Sequence, residues 1–420
     1  MRVCVLGAGI AGLAAACELQ REGHEVTVID RVGAGAGASG ANGAQLSYAY
    51  VQPLADPSIW SQLPRLLLAG SSPLKLRLRL DPDQWRWGLR FLAACRAGVS
   101  RSTTQQLLRL AAQSRLAFER LLAEQALDCD FSATGKLVLY ADERSFSGAR
   151  GQLALQRSLG SEQCAVSAAE CVAIEPALQH YQPRIAGGIH TPGECAADCY
   201  KVCRELVRLL GRRGARFVFD APISGMVVRQ GRVTAVETSV GPIEADAFVV
   251  ALGSASAPLA HRLGLYLPVY PLKGYSITLP APQEAPAPRV NVTDAARKIV
   301  FARLGERLRI AGMAELVGSD MSIPPARIRA LIAAAQDVFP GCGDFSRCEP
   351  WAGLRPATPT GLPILGRHPR GPANVLFDTG HGALGFTLAF GSAVRIAALL
   401  REAHAARPTP AAAAPVSYSA

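Results

Sequence analysis

Lysine, aromatic residues and long apolar runs are all scarce in this chain. Five of its 44 basic residues are lysine, aromatic residues make up 6% of the sequence, and no apolar run reaches the roughly 20 residues that cross a bilayer. Residues 2–6 already form a predicted strand, which leaves no room for a secretory signal. We therefore expect a cytoplasmic location, where the eleven cysteines stay reduced.

A histidine or a fourth cysteine is missing near the three cysteines that repeat every four residues. Cys195, Cys199 and Cys203 would share one face of a helix, an arrangement that could hold a metal ion. Because no further ligand falls at the usual spacing, we expect small buried side chains there and no metal site.

The formal net charge of +11 comes almost entirely from arginine. No nucleic-acid recognition motif accompanies this charge, so we expect no nucleic-acid partner, and anionic lipid or an acidic protein suits it better. Residues 59–100 hold three of the four tryptophans among arginines and leucines. This segment is either a surface that docks on a membrane or a helical insertion packed on the rest of the protein, and we favour the insertion.

Three glycines, Gly7, Gly9 and Gly12, directly follow the first predicted strand. Residues 10–21 then have a helical pattern, and residues 25–29 form a second strand. This unit is typical of a dinucleotide site, in which glycines allow a tight turn, the approach of a pyrophosphate and close helix packing. The unpaired amides at the helix start would face the phosphate charge.

Asp30 ends the second strand, where an acid can accept hydrogen bonds from ribose hydroxyls. A loop rich in glycine, alanine and serine follows over residues 31–43, which suits a buried cofactor lying against the chain. Further short strand–helix repeats, as expected in a nicotinamide-dependent dehydrogenase, are missing from residues 59–126. The pattern therefore favours FAD over NAD.

The fold class that we expect is α/β, with a Rossmann-like nucleotide-binding domain and a second domain rich in mixed β-sheet. We assign residues 1–58, 150–265 and 350–404 to a discontinuous nucleotide-binding domain, and residues 59–149 and 266–349 to a substrate domain with a helical insertion. The last helix is predicted from Gly382 to about Ala403. Residues 405–420 are rich in alanine and proline, and we expect them to be disordered.

Six separated motifs resemble one family in the expected order along the chain. They are the stretches 3–31, 39–47, 268–276 (Pro-Val-Tyr-Pro-Leu-Lys-Gly-Tyr-Ser), 309–315, 353–359 (Gly-Leu-Arg-Pro-Ala-Thr-Pro) and 378–385 (Asp-Thr-Gly-His-Gly-Ala-Leu-Gly). The chain resembles the small subunit of bacterial D-amino acid dehydrogenase, in the wider group of FAD-dependent amino acid oxidases with glycine and sarcosine oxidases. One departure is Asn42-Gly43-Ala44-Gln45, where the family commonly has Asn-Ala-Gly-Gln.

The resemblance implies a nucleotide domain of the glutathione-reductase type and oxidative deamination of a D-amino acid. A hydride would pass from the substrate α-carbon to flavin N5, and a quinone-type acceptor would take the electrons. An oxidase of the glycine or sarcosine type that uses O₂ is the nearest alternative. A flavoprotein subunit of a hetero-oligomeric amine dehydrogenase is another, and peripheral contact with the inner face of the plasma membrane would fit delivery to a quinone.

The resemblance also implies roles for individual residues. Arg355 would clamp the substrate carboxylate from a rigid turn, assisted by hydroxyl groups of Tyr275 and Tyr50, although each tyrosine is equally a core residue. His381 would orient or contact the flavin ring rather than act as a base, and Lys273 would add a point charge. The expected flavin contacts are Val3, Gly7, Ala8, Gly9, Ile10, Ala11, Gly12, Asp30, Arg31, Ser39, Asn42, Gly43, Ala44, Gln45, Gly253, Lys273, Gly353, Gly380, His381, Gly382, Ala383, Leu384 and Gly385.

Overall fold

The computed structural model describes residues 1–51, 53–57, 59–60, 74–77, 79–157 and 162–405. The tail predicted to be disordered lies outside the described residues, apart from its first residue. Parallel and antiparallel sheets occur together with helices, which confirms the predicted α/β fold class.

The strands follow one another from end to end of the chain: β1 Arg2–Leu6, β2 Glu25–Ile29, β3 Gln45–Leu46, β4 Leu74–Leu76, β5 Lys136–Tyr140, β6 Cys164–Val166, β7 Gly187–Thr191, β8 Cys195–Ala196, β9 Arg216–Val218, β10 Ile223–Arg229, β11 Arg232–Thr238, β12 Gly241–Glu244, β13 Ala247–Val250, β14 Tyr270–Pro280, β15 Asn291–Asp294, β16 Ile299–Leu304, β17 Arg307–Leu316, β18 Glu349–Ala357, β19 Ile364–Gly366 and β20 Val375–Thr379. The α-helices are α1 Ile10–Arg21, α2 Pro82–Ala94, α3 Ala97–Glu124, α4 Glu143–Arg157, α5 Ala168–Ile174, α6 Cys199–Arg212, α7 Ser256–Arg262, α8 Pro325–Val338 and α9 Gly385–Ala405.

The nucleotide-binding domain is built on a six-stranded sheet in the order β19-β20-β13-β1-β2-β9, parallel except for β19. Helices α1, α6, α9 and α3 cover one face, and a single apolar core joins them to the sheet. The three-stranded sheet β10-β11-β12 covers the other face. The predicted strands at 2–6 and 25–29 and the helix at 10–21 have the observed bounds.

The second sheet has the order β18-β14-β17-β16-β15-β5-β7-β6, and β4 pairs with β17. Helices α8 and α5 pack on one face with an apolar core of their own. The sheet corrects the predicted domain boundaries, because residues 164–191 and 349–357 belong to it rather than to the nucleotide-binding sheet. Hydrophobic periodicity predicts strands but does not tell which sheet a strand joins.

Two local predictions are also corrected by these elements. Arg355 lies within β18 and not in a turn, and Pro356 is tolerated there because β18 is an edge strand. Cys195 lies in β8, whereas α6 begins only at Cys199, so the three cysteines do not share a helix face. Among the described residues no cluster with metal-ligand composition occurs.

Helix α2, in the segment 59–100, has one buried side and one exposed side. Trp87 is buried and donates its indole N–H to the carbonyl of Ala357 at 2.8 Å, as an insertion requires. On the same helix α2, Trp85 and Leu89 are exposed. One helix in the described part of the chain, Gly382–His404, is long and apolar enough to cross a membrane by length and composition alone. It lies mostly buried against α1 and α3, as a core helix does.

Candidate active site

The turn after β1 is held by the close packing of its glycines. Gly7 has a φ of +109°, which glycine adopts without strain, and its amide donates to the carbonyl of Ile29 at 2.8 Å. A Cβ on Gly7 would lie 2.5 Å from the carbonyl oxygen of Ala251, and one on Gly12 would lie 2.0 Å from the carbonyl oxygen of Gly7. No larger side chain fits at either position while β1, α1 and the end of β13 stay in contact.

Gly9 lies at the N-terminus of α1 and borders open space. A Cβ there would meet only the hydroxyl of Ser39, at an unstrained 3.5 Å. That hydroxyl accepts the amide of Ile10 at 3.0 Å, so Ser39 holds the loop against the helix start and occupies one of its free amides. The space before the remaining turn of α1 is the place expected for a pyrophosphate.

Asp30 ties the end of β2 to two neighbouring turns. Its carboxylate accepts the amide of Ala8 at 2.8 Å and the amides of Val32 and Gly33 at 2.9 and 3.2 Å. The carboxylate is only partly buried, so it can also accept bonds from a ligand. Arg31 beside it is exposed, and Val3 lies deep in the core.

The loop over residues 39–45 joins the two domains. The Gln45 amide donates to the carbonyls of Val292 and Phe301 at 3.2 and 3.1 Å, and Arg309 donates to the carbonyl of Asn42 at 3.0 Å. Ala44 has a φ of +60° and receives support from the Asn42 side chain, which accepts its amide at 2.9 Å. These bonds fix the loop between the nucleotide-binding turn and the second sheet.

A seam of small, partly exposed residues runs between the two sheets. A Cβ on Gly382 would meet nothing within 4 Å, and one on Gly253 would meet only Pro356, at 4.0 Å. Together with Gly9, these glycines leave the backbone open to a neighbouring group at the start of α1, after β13 and before α9. Ala11, Gly43, Leu384 and Gly385 are partly exposed near them, and Ala383 is exposed. The seam fits a flat, extended group such as FAD, which glycine backbones can approach closely.

The second sheet presents a guanidinium toward this seam. Strand residues alternate between faces, and Ser276 of β14 donates to the carbonyl of Ala41 at 2.6 Å, which identifies the face toward the nucleotide-binding domain. Arg355 lies on that face, over Gly274, where a Cβ would be 2.2 Å from a guanidinium nitrogen. Among the described residues its one hydrogen bond is to the carbonyl of Met313, at 2.8 Å.

Arg355 therefore has no carboxylate partner among the residues that the structure describes. Burial lowers its pKa to about 10. A guanidinium that is desolvated but not neutralised is suited to bind an anion bidentately. The neighbouring Gly353 is covered by the indole of Trp351, whose ring atoms would lie 2.1 Å from a Cβ at that position.

Tyr275 and Lys273 lie on the opposite face of the sheet, so the structure does not bring them together with Arg355. The Tyr275 hydroxyl donates to Glu315 at 2.7 Å, and Arg327 of α8 binds the same carboxylate at 2.6 Å. The Lys273 ammonium lies 5.2 Å from the Tyr275 ring centre and 3.8 Å from Asp320. Burial and the bond to Glu315 raise the pKa of Tyr275.

Tyr50 lies with a cluster that sequence reasoning missed. The buried ammonium of Lys136 donates to Ser47 at 2.8 Å and lies 4.5 Å from the centre of the Tyr50 ring. Burial lowers the pKa of Lys136 to about 8. Glu194 accepts the amides of Tyr48 and the next residue at 2.8 and 2.7 Å. The sequence does contain one sign of this cluster, which is a lysine within the apolar stretch 135–140.

Strand β20, just before the turn to α9, contains a second missed group, Asp378. Gly380 has a φ of +83°, and the backbone of His381 forms a bridge with Ala357 at the end of β18. The buried imidazole of His381 lies 2.9 Å from the hydroxyl of Ser392 and 3.4 Å from the carboxyl of Asp378. The imidazole therefore faces the protein interior, and it is the backbone of the turn that borders the seam.

Comparisons with known proteins identify the family of this chain. A family model described as FAD dependent oxidoreductase matches residues 2–399. The chain is 48% identical to D-amino acid dehydrogenase 2 of Pseudomonas aeruginosa, with 93% of this chain and 92% of the relative covered. It is 46% identical to D-amino acid dehydrogenase 2 of Ralstonia nicotianae, with 95% and 96% covered. The glycine oxidase structure from Geobacillus kaustophilus is similar in fold, with a TM-score of 0.76, 22% identity and 96% and 95% covered.

Proposed function

The chain belongs to the family of FAD dependent oxidoreductases, and we propose that it oxidises D-amino acids to 2-oxo acids and ammonia. The observation that carries the substrate class is Arg355, a desolvated guanidinium without an acid partner on the face toward the seam. An α-carboxylate is the anion that every amino acid offers. The preference for the D-enantiomer is supported by the two dehydrogenases to which the chain is similar.

The chain's own residues bind and orient, and the bound flavin supplies the acceptor for a hydride from the substrate α-carbon. Arg355 pairs with the carboxylate and thereby fixes the α-carbon relative to the seam. Asp30 and Ser39 hold the phosphate-binding turn in place. The start of α9 carries the positive end of a helix dipole, which favours negative charge beside Gly382 and Ala383. Water hydrolyses the imino acid product.

We propose a quinone-type electron acceptor at a membrane surface, and this rests on α2. Leu80, Trp85 and Leu89 are exposed, and arginines flank them. An exposed apolar face with basic neighbours is suited to shallow insertion among anionic lipids. Trp87 of the same helix bonds to Ala357, two residues after Arg355. The buried side of α2 therefore packs on the strand that holds the substrate clamp, and its exposed side is the proposed docking surface.

We propose that the enzyme acts on the cytoplasmic side of the membrane. All eleven cysteines are free thiols, as in proteins of reducing compartments. A quinone in the membrane would then be reached from the inner face.

The substrate proposal is tested by anaerobic bleaching of the bound flavin with D- and L-amino acids, glycine and sarcosine. We expect rapid bleaching by D-amino acids and slow or no bleaching by the others. Bleaching by glycine or sarcosine alone, with peroxide formed in air, would instead indicate an O₂-using oxidase. Bleaching that requires an added protein partner would indicate a subunit of a hetero-oligomeric dehydrogenase.

The acceptor proposal is tested with quinone-loaded vesicles of anionic lipid. We expect Trp85→Ala with Leu89→Ala to lower quinone reduction at least tenfold while reduction of a soluble dye is unchanged. Leu116→Ala on α3, another exposed leucine, is the matched control and should change neither rate. Equal quinone reduction by the double variant would exclude α2 as the docking surface.

A further inference from the structure

The carboxyl group of Asp378 is buried without any hydrogen-bond donor. Neither of its oxygens has a partner, and the side chain is completely inaccessible. It points from β20 toward α9, because Leu376, two residues earlier, packs in the core on that side of the sheet. Burial strongly disfavours an ionised carboxylate that no donor contacts, so the group must hold a proton or share one.

His381 is the ionisable side chain closest to this carboxyl group. Its Nε2 lies 3.4 Å from an Asp378 oxygen and 2.9 Å from the Ser392 hydroxyl of α9. The strands beside β20, which are β13 and β19, contain no ionisable residue. On α9 the nearest charged residue in sequence is Arg395, an exposed residue paired with Glu402. Among the residues that the structure describes, His381 is the one ionisable side chain within ion-pair distance of the Asp378 carboxyl group.

Burial shifts the two groups in opposite directions. It raises the pKa of Asp378 from its ordinary 3.8 to about 7, and it lowers the pKa of His381 from 6.5 to about 4. In the folded chain between pH 4 and 6.5 the proton is on Asp378. In the unfolded chain over the same range it is on His381. Folding thus moves one proton from the imidazole to the carboxyl group without changing the number bound.

We propose that Asp378 and His381 form a neutral acid–imidazole pair that positions the flavin-binding turn without placing a net charge beneath it. The pair joins β20 to the turn and, through Ser392, to α9, and the backbone of His381 continues the connection to Ala357. The negative charge of a carboxylate here would cancel part of the positive potential at the start of α9. The pair depends on the flavin site of the family and not on the identity of the substrate.

The test measures how the stability of the FAD-loaded enzyme changes with pH, at one fixed FAD concentration. The wild-type pair binds the same number of protons in the folded and the unfolded chain. It therefore contributes nothing to the pH dependence of the free energy of unfolding between pH 5 and 6.5. In Asp378→Asn, His381 alone must lose its proton on folding, so the unfolding constant relative to wild type should fall about tenfold per pH unit as pH rises. In His381→Asn, Asp378 alone must gain one, so the same ratio should rise about tenfold per pH unit.

Matched controls separate this effect from general destabilisation. In the double variant, with Asp378→Asn and His381→Asn together, the unfolding constant relative to wild type should not change with pH. Asp246→Asn removes an acid outside the pair, whose pKa is lowered by the Arg2 backbone and side chain, so its effect should lie below pH 5. The proposal would be overturned if the ratio of unfolding constants changed with pH in the same direction in both single variants, or did not change with pH in either.

A direct measurement covers the case in which a single variant fails to fold. The infrared spectrum of the wild-type holoenzyme at pH 6 should contain a protonated-carboxyl band, and nitrogen NMR should show a neutral His381 ring. A carboxylate together with an imidazolium at that pH would show an ion pair and disprove the neutral pair.

Discussion

The two faces of the second sheet differ in whether their charged side chains have ion-pair partners. On the face covered by α8, Glu315 neutralises Arg327 and accepts the hydroxyl of Tyr275, so the charged groups there are matched within the protein. On the face toward the nucleotide-binding domain, Arg309 is paired with Asp198, whereas Arg355 and Lys136 have no carboxylate within ion-pair distance among the described residues. The matched face stabilises the fold, whereas these two unmatched cations on the other face are available for a ligand.

The largest effect is expected from removing the unmatched guanidinium. Arg355→Leu should raise KM for a D-amino acid about 10²–10³-fold, because a desolvated charge pair contributes roughly 3–5 kcal/mol. Stability should not fall, since no internal ion pair is lost. Steady-state kinetics with a dye acceptor and a thermal melt measure both quantities. The exposed Arg367→Leu is the control, and an unchanged KM in Arg355→Leu would remove this residue from the site.

On the matched face, a substitution should lower the stability and leave KM unchanged. Glu315→Gln leaves Arg327 without its counter-charge in a largely buried place, and we expect a loss of about 3 kcal/mol in the free energy of unfolding. KM should stay within twofold of wild type. The exposed pair of Glu119 with Arg115 offers the control Glu119→Gln, which should cost less than about 1 kcal/mol. A large rise in KM for Glu315→Gln would show that the two faces are not independent.

A smaller change tests the placement of the clamp itself. Gly274→Ala would put a Cβ 2.2 Å from the Arg355 guanidinium, which must then move. Because misplacement by about 1 Å can cost up to 10²-fold, we expect KM to rise about tenfold. Gly98→Ala, where a Cβ meets nothing within 4 Å, is the control and should leave KM unchanged.

The smallest effect is expected from the tyrosine on the matched face. Tyr275→Phe removes one hydrogen bond to Glu315 and should lower the free energy of unfolding by about 1 kcal/mol. KM should stay within twofold of wild type. A rise of tenfold or more would place the hydroxyl in the substrate clamp, as the family resemblance implies, and would contradict the separation of the two faces.

Local elements of the fold follow from the sequence because their signals lie within a few residues. The first strand, the turn and helix α1 need only the glycine spacing and the apolar pattern. The face on which Tyr275 lies depends on the pleat and the bulge opposite β14, which pairing with β17 determines. The domain boundaries depend on which sheet a strand joins, and nothing in a strand's own residues specifies that.

The candidate site divides in the same way. Arg355 and the Gly380–Gly382 turn are found from motifs, whereas their surroundings are long-range. Asp378 stands inside a quoted motif, yet its importance lies in the lack of any donor around it, which only the packed structure reveals. Lys136 is recognisable as a charge in an apolar strand, but its contact with Ser47 joins residues 89 positions apart.

The Gln45 side chain, bonded to two backbone carbonyls of the second sheet, has a consequence for the molecule as a whole. With the loop anchored at both ends, neither sheet can swing away from the other without breaking bonds that the backbone itself supplies. A hinge motion between the domains would cost these hydrogen bonds, so we expect substrate entry to rely mainly on small local displacements. The two halves should also melt together in a single cooperative transition, so a fragment holding only one of them would not persist as a folded protein.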